Sequence, residues 1–446
     1  MNRWFFTLII AVLVLGISAG SALIRFDLPL SNSLRGAFDA GKTVTSDGFE
    51  IKSDIHTLGA KPSGPYDFIS PPVRDMDPGV AVFDADNVQP GYTLYTPFFF
   101  GNTIRLVDMF GISLHEWSIP RDAYIGERQD GFDLGDSSLP MVSIAHVYPN
   151  GDLLIVFSHG REKQPWGYGM AKIDKDSRLL WTYLKQVHHG LDVMPDGKII
   201  AMVHTLRAEH RPGLEWVTTP FQDDFVAILS PEGEELSRVS VLEAIQNSAW
   251  ASLLMYADPD AYEGDLLHLN SARYLDSEQA AHIPGAAEGD LLISLRNLDV
   301  VAVMNLNESS IKWAARGPWH MQHDAQMLAN GNLLIFDNRG DSYRGGASRI
   351  LEVDPQTLGI QWRYPTASDD PLYTVVCGSV QRLANGNTLI SETNNGRILE
   401  VTRSGEIVWD YRIPERYITK GGELVSKAWH AERIDPAALP FLSTAN

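Results

Sequence analysis

The sequence predicts an all-β fold: a six-bladed β-propeller with four-stranded antiparallel blades, preceded by an N-terminal membrane-spanning or signal helix. Three observations predict the propeller. Hairpins with Asn-Gly or Asp-Gly at the turn recur along the chain, and a second hairpin ending in tryptophan follows most of them. Helical periodicity is nearly absent apart from a short stretch near 241–258. Two hairpins make one four-stranded sheet, and radial repetition of such sheets gives a propeller.

Residues 1–24 are predicted to be a signal peptide or a membrane anchor. Arg3 gives a short positive start, and residues 4–24 carry no charge, which is about the length that spans a bilayer. Small residues at 18–22 are typical of a signal-peptidase site, whereas the apolar run to Ile24 favours an uncleaved anchor. With Arg3 on the cytoplasmic side, the rest of the chain is expected to be periplasmic, anchored to the inner membrane if the segment is retained.

Residues 25–90 are rich in Gly and Pro and are predicted to form a linker and an irregular N-terminal segment with a few strands. Residues 91–446 are predicted to form the propeller, which is the catalytic domain. Its six expected units lie at about 93–120, 141–184, 188–245, 265–315, 321–365 and 376–412.

The two hairpins of the repeat recur along the chain. The first hairpin is clear at 143–157, 189–203, 323–337 and 378–392, where Asn-Gly or Asp-Gly supplies the positive φ angle that a tight turn needs. The second hairpin ends in a tryptophan at four equivalent places: Trp181, Trp313, Trp362 and Trp409. We expect these indole rings to pack between neighbouring blades.

Composition and net charge exclude some classes of partner and any intrachain disulfide. The chain has 446 residues, 44% of them apolar, and a formal net charge of −20. No basic stripe offsets this acidity, which argues against nucleic acid as a partner. Cys377 is the single cysteine, so an intrachain disulfide is excluded and a packed thiol is expected.

Candidate site residues follow from the hairpin register. The position eight residues before the turn glycine is Ser143, His189, His323 and Gly378 in the four clear hairpins. It lies roughly 26 Å from the turn at about 3.3 Å per residue, so these positions are expected to converge at one mouth of the central channel.

The fourth unit brings two more groups to the same mouth. Its first turn is expanded by an insertion, but "GDLLISLR" still aligns with "GNLLIFDN", which places His268 and Arg296 at the start and end of one hairpin. Asn270, two residues after His268 on the same strand face, and Asn338, at the end of a second strand, are candidate substrate-binding residues.

Metal binding is the first competing interpretation. Adjacent His188 and His189 are expected to point to opposite faces of a strand, and the repeat register favours His189 as the site residue. A zinc site built by His189, His268 and His323 is conceivable, but Arg296 opposes it because a cation beside a metal is unfavourable. We therefore predict no metal and no cofactor.

The succession "HHGLDVMPDG", "DLLHLNSARYL", "LLISLRN", "KWAARG" and "QHDAQMLANGNLLIFDN" resembles the bacterial arylsulfotransferases, which need no nucleotide sulfate donor. These stretches occur in the family's order and cover roughly residues 140–415. The resemblance implies a six-bladed propeller with its active site at the channel mouth. It also implies small-molecule partners, namely a phenolic sulfate donor and a phenolic acceptor.

The resemblance also implies roles for the site residues. His323 is the histidine that is transiently sulfurylated, and His189, His268 and Arg296 hold the sulfuryl group. Such a covalent intermediate predicts ping-pong kinetics. Because His323 must be neutral to attack sulfur, we expect activity to fall at acid pH through the ordinary histidine range.

The chain departs from the family's better-known members in three ways. Residues 25–90 are short for their N-terminal dimerisation domain, the single cysteine cannot form their disulfide near the site, and the C-terminal stretch resembles a divergent branch. Two other classes compete: a non-catalytic propeller that binds a ligand or a protein, and a quinoprotein dehydrogenase, which shares the Trp-ended hairpins. The oligomeric state is left open.

Overall fold

The computed structural model of the chain describes residues 69–70, 77–97, 103–124, 140–159, 167–261, 264–339, 348–366, 372–374, 376–419 and 422–444. These residues form six antiparallel blades arranged in a ring, which confirms the six-bladed β-propeller. The first strands of most neighbouring blades contact one another and therefore line the centre of the ring. The signal or anchor segment predicted at 1–24 lies outside the described residues.

Four blades are continuous in sequence, each with its strands in chain order from the centre outward. Blade 2 consists of Pro140–Val147, Leu153–His159, Gly169–Ile173 and Leu179–Tyr183. Blade 3 consists of Val187–Val193, Ile199–Arg207, Phe221–Leu229 and Glu235–Ser240. Blade 4 consists of Leu269–Tyr274, Leu291–Leu295, Val300–Asn305 and Ser310–Arg316. Blade 5 consists of His323–Met327, Leu333–Asp337, Arg349–Val353 and Ile360–Tyr364.

Blades 1 and 6 are assembled from both halves of the chain. Blade 1 combines the innermost strand Ala428–Ile434 with Tyr92–Pro97, Thr103–Val107 and Ser113–Ser118. Blade 6 combines Val380–Arg382, Thr388–Glu392, Arg397–Val401 and Ile407–Arg412 with a fifth, outer strand, Gly79–Phe83. The repeat pattern predicted neither the strand at 428–434 nor the outer fifth strand, because their pairing partners are distant in sequence.

The remaining elements are short. A small sheet joins Ile69–Ser70, Arg416–Thr419 and Gly422–Ser426. Among the described residues, two α-helical segments occur, Val241–Gln246 and Ser277–Ala280, the second within the insertion of blade 4. Short 3₁₀ segments are Arg121–Ala123, Ala251–Tyr256, Arg296–Leu298, Thr393–Asn395, Pro436–Ala438 and Pro440–Thr444. Within the described ranges, none of these helices has the length and apolarity needed to cross a bilayer.

The outer tryptophans connect neighbouring blades, as the sequence predicts. Trp181 donates its indole N–H to the carbonyl of Pro231 in blade 3, and Trp362 donates to Arg403 in blade 6. Trp409 donates across the ring closure to Met109 in blade 1. Each bond ties an outer strand to a turn of the next blade and satisfies a polar group in an otherwise apolar contact.

Two backbone features place the site. The turn glycines Gly151, Gly197, Gly331 and Gly386 have φ between 84° and 90°, the left-handed region predicted for these hairpins. The innermost strands of blades 1–5, in contrast, are irregular, with register shifts within each inner-strand pairing. Such bulges redirect side chains and are common beside functional sites.

Candidate active site

Three histidines from consecutive blades meet near the ring centre, as the hairpin register predicts. The ring centroids of His189 and His268 lie 4.5 Å apart, and His323 lies 6.3 Å from the first and 6.1 Å from the second. His323 is buried, and the other two are partly buried. The arrangement encloses a point that all three imidazoles can approach.

Backbone strain positions two of them. His189 has φ of 53° and His268 has φ of 54°, the left-handed region that non-glycine residues occupy at a cost of roughly 1–2 kcal/mol. The prediction that His188 and His189 point to opposite faces of a regular strand is wrong, because the backbone at His189 is not extended. The bulge between Val187 and Leu191 breaks the strand alternation, and the Nδ1 atoms of His188 and His189 lie 2.8 Å apart.

Asn338 fixes the tautomer of His323. Its side-chain nitrogen donates to the carbonyls of Thr374 and Cys377 at 2.8 and 2.7 Å, so its oxygen faces His323. That oxygen lies 2.7 Å from His323 Nδ1, which therefore carries the hydrogen and leaves the lone pair on Nε2. Asn338 is fully buried and both ends of its amide are engaged, so its predicted role in contacting substrate is replaced by one in orienting His323.

Asp265 orients His268. Its carboxylate accepts a hydrogen bond from His268 Nδ1, which leaves the lone pair of a neutral imidazole on Nε2. Burial raises the pKa of Asp265 to about 6, against the opposing effect of Arg296. Sequence reasoning missed Asp265, because it precedes the strand and has no counterpart in the other hairpins.

Arg296 is a buried cation beside these groups. One of its terminal nitrogens lies 3.5 Å from His268 Nδ1 and donates a hydrogen bond to the side-chain oxygen of Asn297. Within the described part of the chain, Arg296 forms no ion pair with a carboxylate and its Nε has no hydrogen-bond partner. A buried guanidinium without a carboxylate is suited to an anionic ligand.

The three imidazoles are neutral at pH 7. Burial and then the charge of Arg296 lower the pKa of His323 to about 3. Burial, with neighbouring imidazoles and Arg296, also holds the pKa values of His189 and His268 well below the ordinary range. Neutral imidazole nitrogens are nucleophiles, bases and hydrogen-bond donors at physiological pH.

An open cavity gives access to the site. Among the residues lining it are His189, His323 and Asn270. The amide nitrogen of Asn270 donates to the carbonyl of Gln322, and its oxygen makes no hydrogen bond to any described residue, so that oxygen remains a candidate contact for substrate. Arg296 and His268 do not line this cavity; His268 lies behind His189, with their ring centroids 4.5 Å apart, and Arg296 lies next to His268.

Trp429 and His430 also line the cavity, and the hairpin register did not select either. Both belong to the strand that closes blade 1, whose partner lies at the other end of the propeller sequence. Burial lowers the pKa of His430 to about 4. Cys377 lies at the cavity wall and is buried, which confirms the expected packed thiol. Burial raises the pKa of this thiol to about 12.

The histidine triad also has the spacing of a metal site. One nitrogen of each of His189, His268 and His323 lies within 4.8 Å of the others. Arg296, 3.5 Å from His268 Nδ1, places a positive charge beside that point and opposes a cation there. Neutral donors with an adjacent guanidinium match an anion better than a metal.

The fold and site together define a β-propeller whose imidazole-rich centre lies beside a buried guanidinium. Residues 147–413 match the sequence profile described as Arylsulfotransferase (ASST), and the chain belongs to this family. The match supports arylsulfotransferase activity in general, and it implies small-molecule aryl substrates. None of the curated proteins searched matches the chain.

Solved structures are similar to this chain only at low identity and low TM-score. A protein of unknown function from Bacteroides caccae is 12% identical, with a TM-score of 0.44, 72% of this chain covered and 94% of that chain. A streptogramin B lyase is 12% identical, with a TM-score of 0.41 and coverages of 79% and 91%. The WD40 propeller domain of Doa1 is 11% identical, with a TM-score of 0.39 and coverages of 83% and 98%. None of them bears on the activity.

Proposed function

We propose that the protein is an aryl-sulfate sulfotransferase that moves a sulfuryl group from a phenolic sulfate to a phenolic acceptor through a sulfohistidine at His323. The observation that carries the proposal is Arg296, a buried guanidinium without a carboxylate partner among the described residues, beside three neutral imidazoles. Sulfuryl transfer resembles phosphoryl transfer, in which negative charge spreads over three equatorial oxygens. The family match supports the same chemistry.

In the first half-reaction, His323 Nε2 attacks the sulfur of the donor. An N–S bond forms, the S–O bond to the aryl group breaks, and the phenolate leaves with the electron pair and takes a proton from solvent. The sulfurylated imidazolium keeps its hydrogen on Nδ1, which donates to Asn338. Splitting the transfer into two steps is the logic of covalent catalysis and gives ping-pong kinetics.

Arg296 and His189 stabilise the charge that develops on the sulfuryl oxygens. The charge of Arg296 acts in a buried site, where electrostatic stabilisation exceeds its value in water. His189 offers a ring nitrogen to the same point and lines the cavity next to His323. The two residues therefore favour the transition state over the free ester.

In the second half-reaction, His268 is the general base. Its Nε2 takes the proton of the acceptor phenol while the phenol oxygen bonds to sulfur and the S–N bond breaks, which returns the electron pair to His323. Asp265 stabilises the imidazolium that forms on His268, and the proton then passes to solvent. Trp429, at the cavity wall, provides an aromatic surface for the phenol ring.

Export of the chain is part of the proposal and rests on the uncharged run at residues 4–24. The test is a fusion of residues 1–30 to a leaderless alkaline phosphatase, which is active only outside the cytoplasm. Activity in cells supports a periplasmic protein, and inactive, cytoplasmic fusion protein contradicts it.

The proposed activity is tested with p-nitrophenyl sulfate and phenol. The wild-type chain should release nitrophenol and form phenyl sulfate, with rates against both substrates that give parallel double-reciprocal lines. His323→Ala should abolish both products, whereas His115→Ala, on the outer strand of blade 1, should not. Binding of the ester without turnover by a folded wild-type chain would instead support a ligand-binding propeller.

A further inference from the structure

A second cluster of buried side chains lies beside the candidate active site. It consists of His188, His204 and Asp224, each no more than 4% exposed, and one ligand atom from each lies within 4.8 Å of the others. His188 Nε2 is 3.4 Å and His204 Nδ1 is 3.8 Å from Oδ1 of Asp224, and the two rings stack at 4.4 Å. The proposed reaction uses none of the three.

The charge of Asp224 is the first reason to look for a ligand. Its ion-pair partners within the described ranges are the two imidazoles, and no lysine or arginine reaches it. The preceding residue, Asp223, is equally buried but is paired with Arg207 and Arg211. A buried carboxylate without a cationic partner is costly, and metal coordination is one of the ways proteins compensate it.

The second reason is the position of one nitrogen of His188. His188 Nε2 is buried and makes no hydrogen bond to any described residue, although it lies 3.4 Å from the carboxylate. Two donors about 2.0–2.1 Å from a tetrahedral zinc ion lie roughly 3.3–3.4 Å apart, which is close to this separation. A small cavity adjoins the cluster. Gln222 and Asp265 line it as further oxygen ligands, and His189 and His268 of the triad line its other side.

We propose that His188, His204 and Asp224 bind one divalent transition-metal ion of the zinc class. Two imidazoles and a carboxylate match the donor preference of zinc. The ion would supply the positive charge that Asp224 lacks. This site differs from the triad of His189, His268 and His323, where Arg296 already supplies a cation.

The metal site would set the tautomer of an active-site histidine; this consequence rests on the proposed function. With His188 Nε2 bound to metal, its hydrogen is on Nδ1, which then donates to Nδ1 of His189 at 2.8 Å. His189 must therefore carry its own hydrogen on Nε2. That N–H is a donor for a sulfuryl oxygen.

The test measures metal content and needs no sulfotransfer assay. The chain is purified without a histidine tag, stripped with a chelator, reloaded with Zn²⁺ and desalted. Elemental analysis should find about one zinc per chain in the wild type and in His323→Ala, and less than about a tenth of that in His204→Ala and in the isosteric Asp224→Asn. Circular dichroism confirms that each variant is folded.

Cobalt provides a second readout on the wild type alone. Co²⁺ added to the stripped chain should produce the visible absorption of a low-coordinate site, and equimolar Zn²⁺ should abolish it. A folded wild-type chain that retains no zinc and gives no cobalt spectrum overturns the proposal. So does zinc that is lost in His323→Ala but kept in His204→Ala, because the triad would then be the metal site.

Discussion

At the scale of the residue, the reactivity of His323 depends on one buried amide. Asn338 anchors itself to two carbonyls of the following segment and accepts from His323 Nδ1, so Nε2 alone is available for attack. A single well-anchored hydrogen bond thus chooses the reactive nitrogen and holds the ring in place.

Replacing this amide should lower the rate without removing the nucleophile. Asn338→Ala is expected to reduce kcat about 10–100-fold with little change in KM, because the imidazole loses its orientation and its preferred tautomer. Asn387→Ala is the matched control, since Asn387 is a buried asparagine with two side-chain hydrogen bonds at the far hairpin turn of blade 6. Equal losses of kcat in both variants would contradict a positioning role.

The pH dependence expected from the structure also differs from the acid limb in the ordinary histidine range that the sequence predicts. His323 lies against Arg296, His189, His268 and Asp324, and burial with the Arg296 charge lowers its pKa to about 3. The neutral, active form therefore persists above that pH, and its protonation removes activity only near and below it.

A pH profile tests this electrostatic effect. Protonation of His323 should leave no limb in the wild-type kcat/KM between pH 5 and 8. Arg296→Gln removes the positive charge, so the pKa of His323 rises and the acid limb moves to higher pH, whereas Arg296→Lys keeps the charge and should move it less. A wild-type limb near pH 6.5 that Arg296→Gln leaves in place would contradict the account.

At the scale of the element, the strand Ala428–Ile434 joins the two ends of the propeller and carries a site residue. It pairs with Tyr92–Pro97 as the innermost strand of blade 1, and it brings His430 to the cavity. The repeat pattern does not predict this C-terminal strand, because the strand has no hairpin partner close to it in sequence.

Truncation tests the importance of this strand. A chain ending at residue 427 leaves Tyr92–Pro97 as an unpaired edge and opens the ring, and we expect it to lose cooperative thermal unfolding and to aggregate. A chain ending at residue 444 keeps the strand and should unfold like the full chain. Cooperative unfolding of the shorter chain at an unchanged Tm would show that the closing strand is dispensable.

The inner strands show where sequence reasoning succeeds and where it stops. Counting eight residues back from the turn glycine correctly brought His189 and His323 together, because turn and register are local properties. The same counting did not predict the role of Asp265 or the contact between His188 and His189. They depend on bulges and on left-handed φ angles at His189 and His268, which strand alternation does not encode.

At the scale of the whole molecule, repetition made the architecture predictable. The Asn-Gly turns and Trp-ended hairpins recur because each blade is a four-stranded sheet that packs against its neighbours in a similar way. Six units could therefore be counted from the sequence. The charges at the centre were less predictable. The pKa of His323 and the burial of Arg296 without a direct ion pair depend on the assembled ring.

The most direct test of the central claim is mass spectrometry of the chain from residue 26 after reaction with p-nitrophenyl sulfate and no acceptor. The account predicts a single SO₃ adduct on the peptide that contains His323, absent in His323→Ala and discharged when phenol is added. Nitrophenol release by a folded wild-type chain with no adduct on that peptide would contradict a sulfohistidine at His323.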